Sequence, residues 1–439
     1  MQWELLLQSR RFKADPNKNE DGRSQFHKDY DRIVFSQALR RLARKTQVHP
    51  LTINDHVHTR LTHSLEVASV GRSLGQRVGE SLCQQQLLPK DLQPEDIGVI
   101  VQSACLAHDI GNPPFGHTGE NCIRDWFKHR LETALFDGIQ EEAQRADLLW
   151  YDGNAQGFRI VTQLEKHWFT GGLRLTLPTL GTLLKYPWLA VNSPKPGKFS
   201  CFSSELPLLT KLTQELGMIQ HNPGQWIRHP LAFLVEAADD ICYLILDLED
   251  AVELGIIRWP DFLELFKSLI PFEQMQQVVE QTIQPKKTRM AIVRGLAMDI
   301  IINVMVETFL KHQDQFLQGT ETQPLSQLTD NICVKNFLHE ARIFTEDIIF
   351  KNREKTGVEI GAFATLETLL DAFVHAGFAL QKDGYNRISS RHKSLVELMG
   401  NCQPHENLST YEIYLRCLDF ISGMTDQYAA RLANQIRGI

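Results

Sequence analysis

The chain reads as an all-α protein, and three observations point there. Apolar residues recur at helical spacing, as in Ile97, Val101, Ala104 and His108, which share one stripe. The stretch Leu231–Val252 is hydrophobic nearly all round, as a buried helix would be. No segment of useful length alternates apolar and polar residues like a half-buried strand, and no heptad, internal repeat or glycine-rich phosphate loop occurs.

Composition bounds the function. With 439 residues the chain can bury a large core and form two or three lobes. Its 46 basic and 53 acidic residues leave a net charge of −7, so no global basic field argues for nucleic acid. The eight cysteines are scattered without a Cys-x-x-Cys pair, which fits free thiols in a reducing compartment better than a disulfide framework. The N-terminus lacks a signal-peptide layout, and no apolar run approaches membrane-spanning length. These features predict a cytoplasmic protein with no membrane partner.

In chain order, residues 1–26 read as an N-terminal arm, 27–260 as the core and 261–439 as a helical C-terminal region. Asp31–Lys45 is expected to be one helix, with Ile33, Ala38 and Leu42 on its apolar stripe. The four basic residues at its end either favour the helix C-terminus or face an anionic substrate. Residues 46–58 form a turn region, and a helix from Thr59 runs to about Leu82. His63 lies on that helix's apolar stripe with Val67, Val70, Leu74 and Val78. A histidine so placed is ordinarily a satisfied core residue; here Arg60 sits one turn earlier on the same face, and a His-Asp pair arrives on the next helix.

That next helix opens at Pro94 and must stop at Gly111 and Pro113-Pro114. His108 and Asp109 therefore sit at a helix C-terminus, where exposed carbonyls favour a cation. His117 and Glu120 follow within the same thirteen residues, and a helix continues to about residue 148. Residues 170–206 are less regular, and Lys185, Lys195 and Lys198 are spaced through them, either simply solvated or set for a polyphosphate. In the buried 231–252 helix, Asp239, Tyr243 and Asp247 form a polar stripe at i, i+4 and i+8. Carboxylates in a core need a cation or hydrogen-bond donors, so this stripe is better explained by a metal and ligand site than by a structural ion pair. Further helices are expected at Met290–Leu310, Leu366–Leu380 and Tyr411–Ile436.

The order His63, His108-Asp109, Asp239 resembles the HD-domain metal phosphohydrolases. More specific words surround it: Arg40-Arg41-Leu42 with Lys45-Thr46-Gln47-Val48, Thr59 to Val67, His108 to Glu120, Gly153-Asn154-Ala155-Gln156, Ala237 to Tyr243 and Gly423-Met424-Thr425-Asp426. Together these resemble the deoxyguanosinetriphosphate triphosphohydrolase-like family from about residue 23 to 430. The resemblance implies hydrolysis of a dNTP to deoxynucleoside and inorganic triphosphate. It implies that His63, His108, Asp109 and Asp239 hold one divalent metal, Mn²⁺ or Mg²⁺, with iron, nickel or cobalt also compatible. His117 and Glu120 would be the catalytic proton-handling pair. Arg60, Lys185 and Lys198 would contact phosphates, and Gln47, Tyr243 and Asp247 would line the deoxyribose pocket. Asn112 stands where some members have histidine, which removes a titratable group but no ligand. The family also implies a homo-oligomer, often a hexamer, with single-stranded DNA or a dNTP effector as further partners. The alternatives are another HD nucleotidase or phosphodiesterase, and a nucleotide-sensing or single-strand-DNA-binding module with a structural metal. Base preference is left open.

Overall fold

A computed structural model describes the chain except for residues 13–22, 47–57, 166–171, 281–284 and 346–352. Gln47, an expected sugar-pocket residue, lies outside the described residues. The all-α expectation holds: among the described residues the only strands are Gln220–Asn222 and Gln225–Trp226, paired as a hairpin. Five strand residues around Pro223-Gly224 are too few to show a period in the sequence.

Several helices begin and end differently from their sequence pattern. The expected Asp31–Lys45 helix is two, Gln25–Val34 and Gln37–Arg41, followed by a 3₁₀ turn at Leu42–Arg44. Ser36 causes the break, because its Oγ accepts the Leu39 N–H at 3.1 Å and starts a new helix. The helix expected to run to residue 148 stops at Lys128, and Glu142–Leu149 forms its own. Tyr411–Ile436 divides into Thr410–Ser422 and Asp426–Arg437, the second capped by Thr425. The expected N-terminal arm contains packed residues: Trp3, Leu6 and Leu7 are buried, and the terminal ammonium donates to the Leu317 carbonyl.

Two hydrophobic cores organise the chain. In the first, helices Arg60–Gln84 and Pro94–Ala107 lie backbone to backbone. A Cβ at Gly79 would come within 2.5 Å of the Pro94 carbonyl oxygen, so only glycine permits this approach. Helix Ala232–Glu253 crosses both, and Lys286–Gln318 covers its back. Leu74, Val78, Ile97, Val101, Ile241 and Ile245 are fully buried between them. In the second core, helix Arg353–Asp383 packs against Gly116–Lys128 and against the last two helices, with Ile123, Phe127, Leu366, Phe373, Tyr414 and Leu418 buried in that core. Residues on both sides of 260 therefore share each core. The stretch Glu359–Asp383 is long and apolar enough to cross a bilayer, contrary to the expectation that no run approaches that length. Leu366, Leu369, Leu370, Phe373 and Val374 within it are buried in the second core.

Three tethers join the distant parts. Buried Asp426 accepts the Phe115 N–H at 2.9 Å, the Thr46 N–H at 2.9 Å and the Thr46 hydroxyl at 2.6 Å. Buried Lys45 donates to the carbonyls of Asn112 and Ser422, each at 2.6 Å. Burial pulls the Lys45 ammonium down to about 7. A third tether is His58, whose Nδ1 is 2.7 Å from Asp250 and whose Nε2 is 3.2 Å from Glu66. Burial alone would lower its pKa, but the two carboxylates hold it up at about 10.

Two predictions follow from these tethers. Replacing Asp426 with Ala strips three donors of a buried charged acceptor and should lower unfolding free energy by about 2–4 kcal/mol in urea titration. For His58 the folded pKa lies above the unfolded value of about 6.5. Its stabilisation is therefore complete below pH ~6.5 and is lost as pH rises through about 10. The stability gap between wild type and His58→Gln, measured across that range, should shrink with rising pH; a constant gap would remove the ion-pair explanation.

Candidate active site

Each ligand candidate is placed by a local device. Thr59 and Thr62 form a capping box that starts the Arg60–Gln84 helix and sets its phase, which turns His63 toward the core. His108 caps the Pro94–Ala107 helix, with its Nδ1 2.6 Å from the Cys105 carbonyl. A nitrogen so close to a carbonyl oxygen is the one that carries the proton, so in the neutral ring the lone pair is on Nε2, the atom turned to the site. Asp239 lies in the second turn of Ala232–Glu253.

These three meet. His63 Nε2 is 3.1 Å and His108 Nε2 is 3.6 Å from Asp239 Oδ1. The ligand atoms of His63, His108 and Asp239 all lie within 4.8 Å of one another. Asp109 Oδ1 is 3.5 Å from His108 Nε2, so this carboxylate stands beside the three-residue group without being part of it. Donor atoms around one first-row divalent ion stand roughly 3–3.5 Å apart, and the His63–Asp239 and His108–Asp239 separations are close to that, which makes these three residues a candidate divalent-metal site. Imidazole nitrogens with a carboxylate are the ligand types a borderline-hard cation takes. The electrostatics agree. Burial works to raise the Asp239 pKa, but His108, His63 and Lys185 hold it well below the usual range. Asp109, opposed by burial and helped by Arg60, His108 and His63, is held at about 2. Burial likewise opposes protonation of His63, but Asp239 and then Asp109 and Asp247 raise its pKa.

Arg60 is buried, and its Nη1 donates to Asp109 Oδ2 at 2.7 Å. Its other nitrogen lies against Gly116, where a Cβ would come within 2.2 Å and where φ is +56°. Gly116 is thus required twice, for its conformation and for the guanidinium beside it. Asn112 donates from Nδ2 to Asp109 Oδ1.

His117 and Glu120 form the second half. His117 Nδ1 is 2.8 Å from Glu120 Oε2, and its side chain is 76% exposed while that of Glu120 is 3% exposed. Glu120 Oε1 accepts the Gly153 N–H at 2.8 Å, and Arg124 stands 3.6 Å from Oε2. Despite burial, these partners hold the Glu120 carboxyl below its ordinary range. The pair is therefore a fixed anion orienting an open imidazole.

A cleft of about 740 Å³ runs past His108, Asp109, His117, Glu120, Lys185, Lys198 and Asp239. Lys185 is ion-paired with Glu236 at 3.6 Å rather than merely solvated. The structure does not put every expected residue on this wall. Arg60 and His63 lie behind it, Asp247 is buried and close enough to act on the charge of His63, and Tyr243 is half-buried against the first core. Sequence reasoning passed over Asn154, Tyr186 and Glu236, which line the cleft. Glu236 was legible in principle, since it precedes Asp239 by three residues and shares its helix face.

Comparison with known proteins agrees with this geometry. A family model described as HD domain matches residues 60–148. The chain is 46% identical to a deoxyguanosinetriphosphate triphosphohydrolase-like protein of Pseudomonas aeruginosa, with 100% of this chain and 99% of the relative covered. It is 32% identical to a protein of the same description from Listeria monocytogenes, with both chains wholly covered. It is 31% identical to the deoxyguanosinetriphosphate triphosphohydrolase of Cronobacter sakazakii, over 92% of each chain.

Asp239→Ala should lose most bound Mn²⁺ by elemental analysis while its helical circular dichroism is kept. Full metal content in that variant would exclude Asp239 from the ligand set.

Proposed function

Because the chain belongs to the deoxyguanosinetriphosphate triphosphohydrolase-like family, we propose that it hydrolyses a deoxynucleoside triphosphate to deoxynucleoside and inorganic triphosphate. The observation that supports this most directly is the shared cleft, which combines a His/Asp donor set, a His–Glu pair and two lysines. In the proposed reaction, the oxygen of a water bonds to the α-phosphorus and the bond from that phosphorus to the 5′-oxygen breaks. The water gives up protons and the 5′-oxygen takes one.

His63, His108, Asp109 and Asp239 would hold one divalent cation, Mn²⁺ or Mg²⁺. Once bound, the cation would polarise the α-phosphate and lower the pKa of the attacking water. His117 is assigned the proton delivered to the leaving 5′-oxygen. Its exposed ring can reach a ligand in the cleft, and the Glu120 anion behind Nδ1 orients it. Arg60 is assigned to an α-phosphate oxygen, which it would reach by giving up part of its bond to Asp109. Lys185 and Lys198 would offset the charge of the distal phosphates. The family resemblance assigns Tyr243, Asp247 and Gln47 to the sugar, with a tyrosine ring excluding a 2′-hydroxyl and Asp247 accepting from the 3′-hydroxyl. Tyr243 and Asp247 do not line the cleft formed by the described residues, so this part of the assignment rests on the resemblance.

The test is a panel of the four dNTPs and GTP with Mn²⁺, scored for intact triphosphate. Triphosphate and deoxynucleoside should appear in equal amounts, with GTP turned over poorly. Release of monophosphate or pyrophosphate instead would point to a different phosphohydrolase. His117→Ala should lower kcat by about 10²–10⁴-fold with metal content unchanged.

A further inference from the structure

Glu236 stands in the cleft wall and serves two cations. Its Oε1 is 3.6 Å from Lys185 Nζ, and its Oε2 accepts from Arg228 Nη1 at 2.7 Å. The two cations face different spaces. Lys185 faces the cleft, whereas Arg228 lines a second cavity of about 1,050 Å³ with Trp188, Trp226 and Phe233. Tyr186 and Glu236 line both, so they form the partition.

Arg228 is the better anchored of the two. Its Nη2 donates to the Thr322 carbonyl at 2.6 Å, and its guanidinium lies 4.0 Å from the Phe233 ring centre. Its side chain is 10% exposed. Lys185 is held more loosely, by the ion pair at 3.6 Å and by the Tyr186 ring, whose centre is 5.9 Å from its ammonium. The charge balance follows from this. Lys185 and Glu236 alone sum to zero, and the polyphosphate would meet a wall already carrying Asp109, Glu120 and Asp239. With Arg228 bound to Glu236, the group carries one net positive charge, and the positive end open to the cleft is the Lys185 ammonium.

We propose that Arg228 is a positioning residue that acts through Glu236, neutralising that carboxylate so that Lys185 is available to the distal phosphates of the substrate. This rests on the assignment of Lys185 to the phosphates made above. Arg228 itself touches no substrate.

The experiment measures dGTP kinetics with Mn²⁺ and, separately, calorimetric binding of inorganic triphosphate with Mn²⁺. Variants are R228Q, R228K, E236Q, K185A and the R228Q/K185A double. R228Q should raise KM and the triphosphate Kd about tenfold, with kcat within about twofold of wild type and metal content unchanged. R228K keeps the charge and should recover most of the affinity. R228Q should add little in the K185A background, because its effect passes through Lys185. E236Q should move the other way, binding triphosphate about threefold more tightly, since both cations then lack their counter-charge. That opposite sign separates positioning from general weakening of the wall, and it decides the matter if R228Q does not fold. Wild-type affinity in R228Q while K185A is weakened, additive losses in the double variant, or weaker binding by E236Q would each overturn the proposal. Unchanged affinity in K185A would overturn the assignment of Lys185 itself, and the proposal with it.

Discussion

Asp109 and Asp239 bring two carboxylates to the meeting point of three helices, and the rest of the site is built to balance that charge. A buried carboxylate without partners costs several kcal/mol, so each oxygen must meet a donor or a cation. Arg60 takes Asp109 Oδ2, Asn112 takes Oδ1, and the two imidazoles stand within 3.6 Å of Asp239 Oδ1. These partners balance the two carboxylates, so groups that would otherwise be a stability problem are held in fixed positions.

Holding that set still requires parts of the chain far away in sequence. The backbone between Asp109 and His117 passes through a left-handed residue, Phe115 at φ +63°, followed by Gly116 at φ +56°. A phenylalanine accepts that conformation only where its surroundings impose it. Asp426 imposes it by accepting the Phe115 N–H, and Lys45 fixes the Asn112 carbonyl to the end of the Thr410–Ser422 helix. The C-terminal helices therefore set the turn that separates the metal donors from the His117–Glu120 pair. Their Gly423-Met424-Thr425-Asp426 segment does this without itself lining the cleft.

The opposite wall follows the same electrostatic rule. Glu236 would add a further negative charge beside Asp239, but Arg228 meets it from behind and Lys185 from the front. Trp188 supports Lys198 in a similar way, since its indole N–H donates to the Lys198 carbonyl at 2.8 Å. Both cleft lysines thus depend on residues whose side chains belong to the neighbouring cavity.

The sequence by itself determined the helical class and the buried character of the 231–252 segment, and it singled out His63, His108 and Asp239, which the fold brings together. Those depend on periodicity and on residue type, which are local. It also marked where the His108 helix must stop, since proline and glycine act on their own backbone. It did not reveal the break at Ser36 or the separation of Thr410–Ser422 from Asp426–Arg437, because a serine or threonine cap competes with helix continuation on nearly equal terms. Which polar residues face the cleft was decided only in three dimensions. Asp239, Tyr243 and Asp247 share a helical stripe, yet of the three only Asp239 lines the cleft formed by the described residues. The pairing of Glu236 with both Lys185 and Arg228 joins segments about 50 and 8 residues apart, and no periodicity within one segment can encode a contact between two.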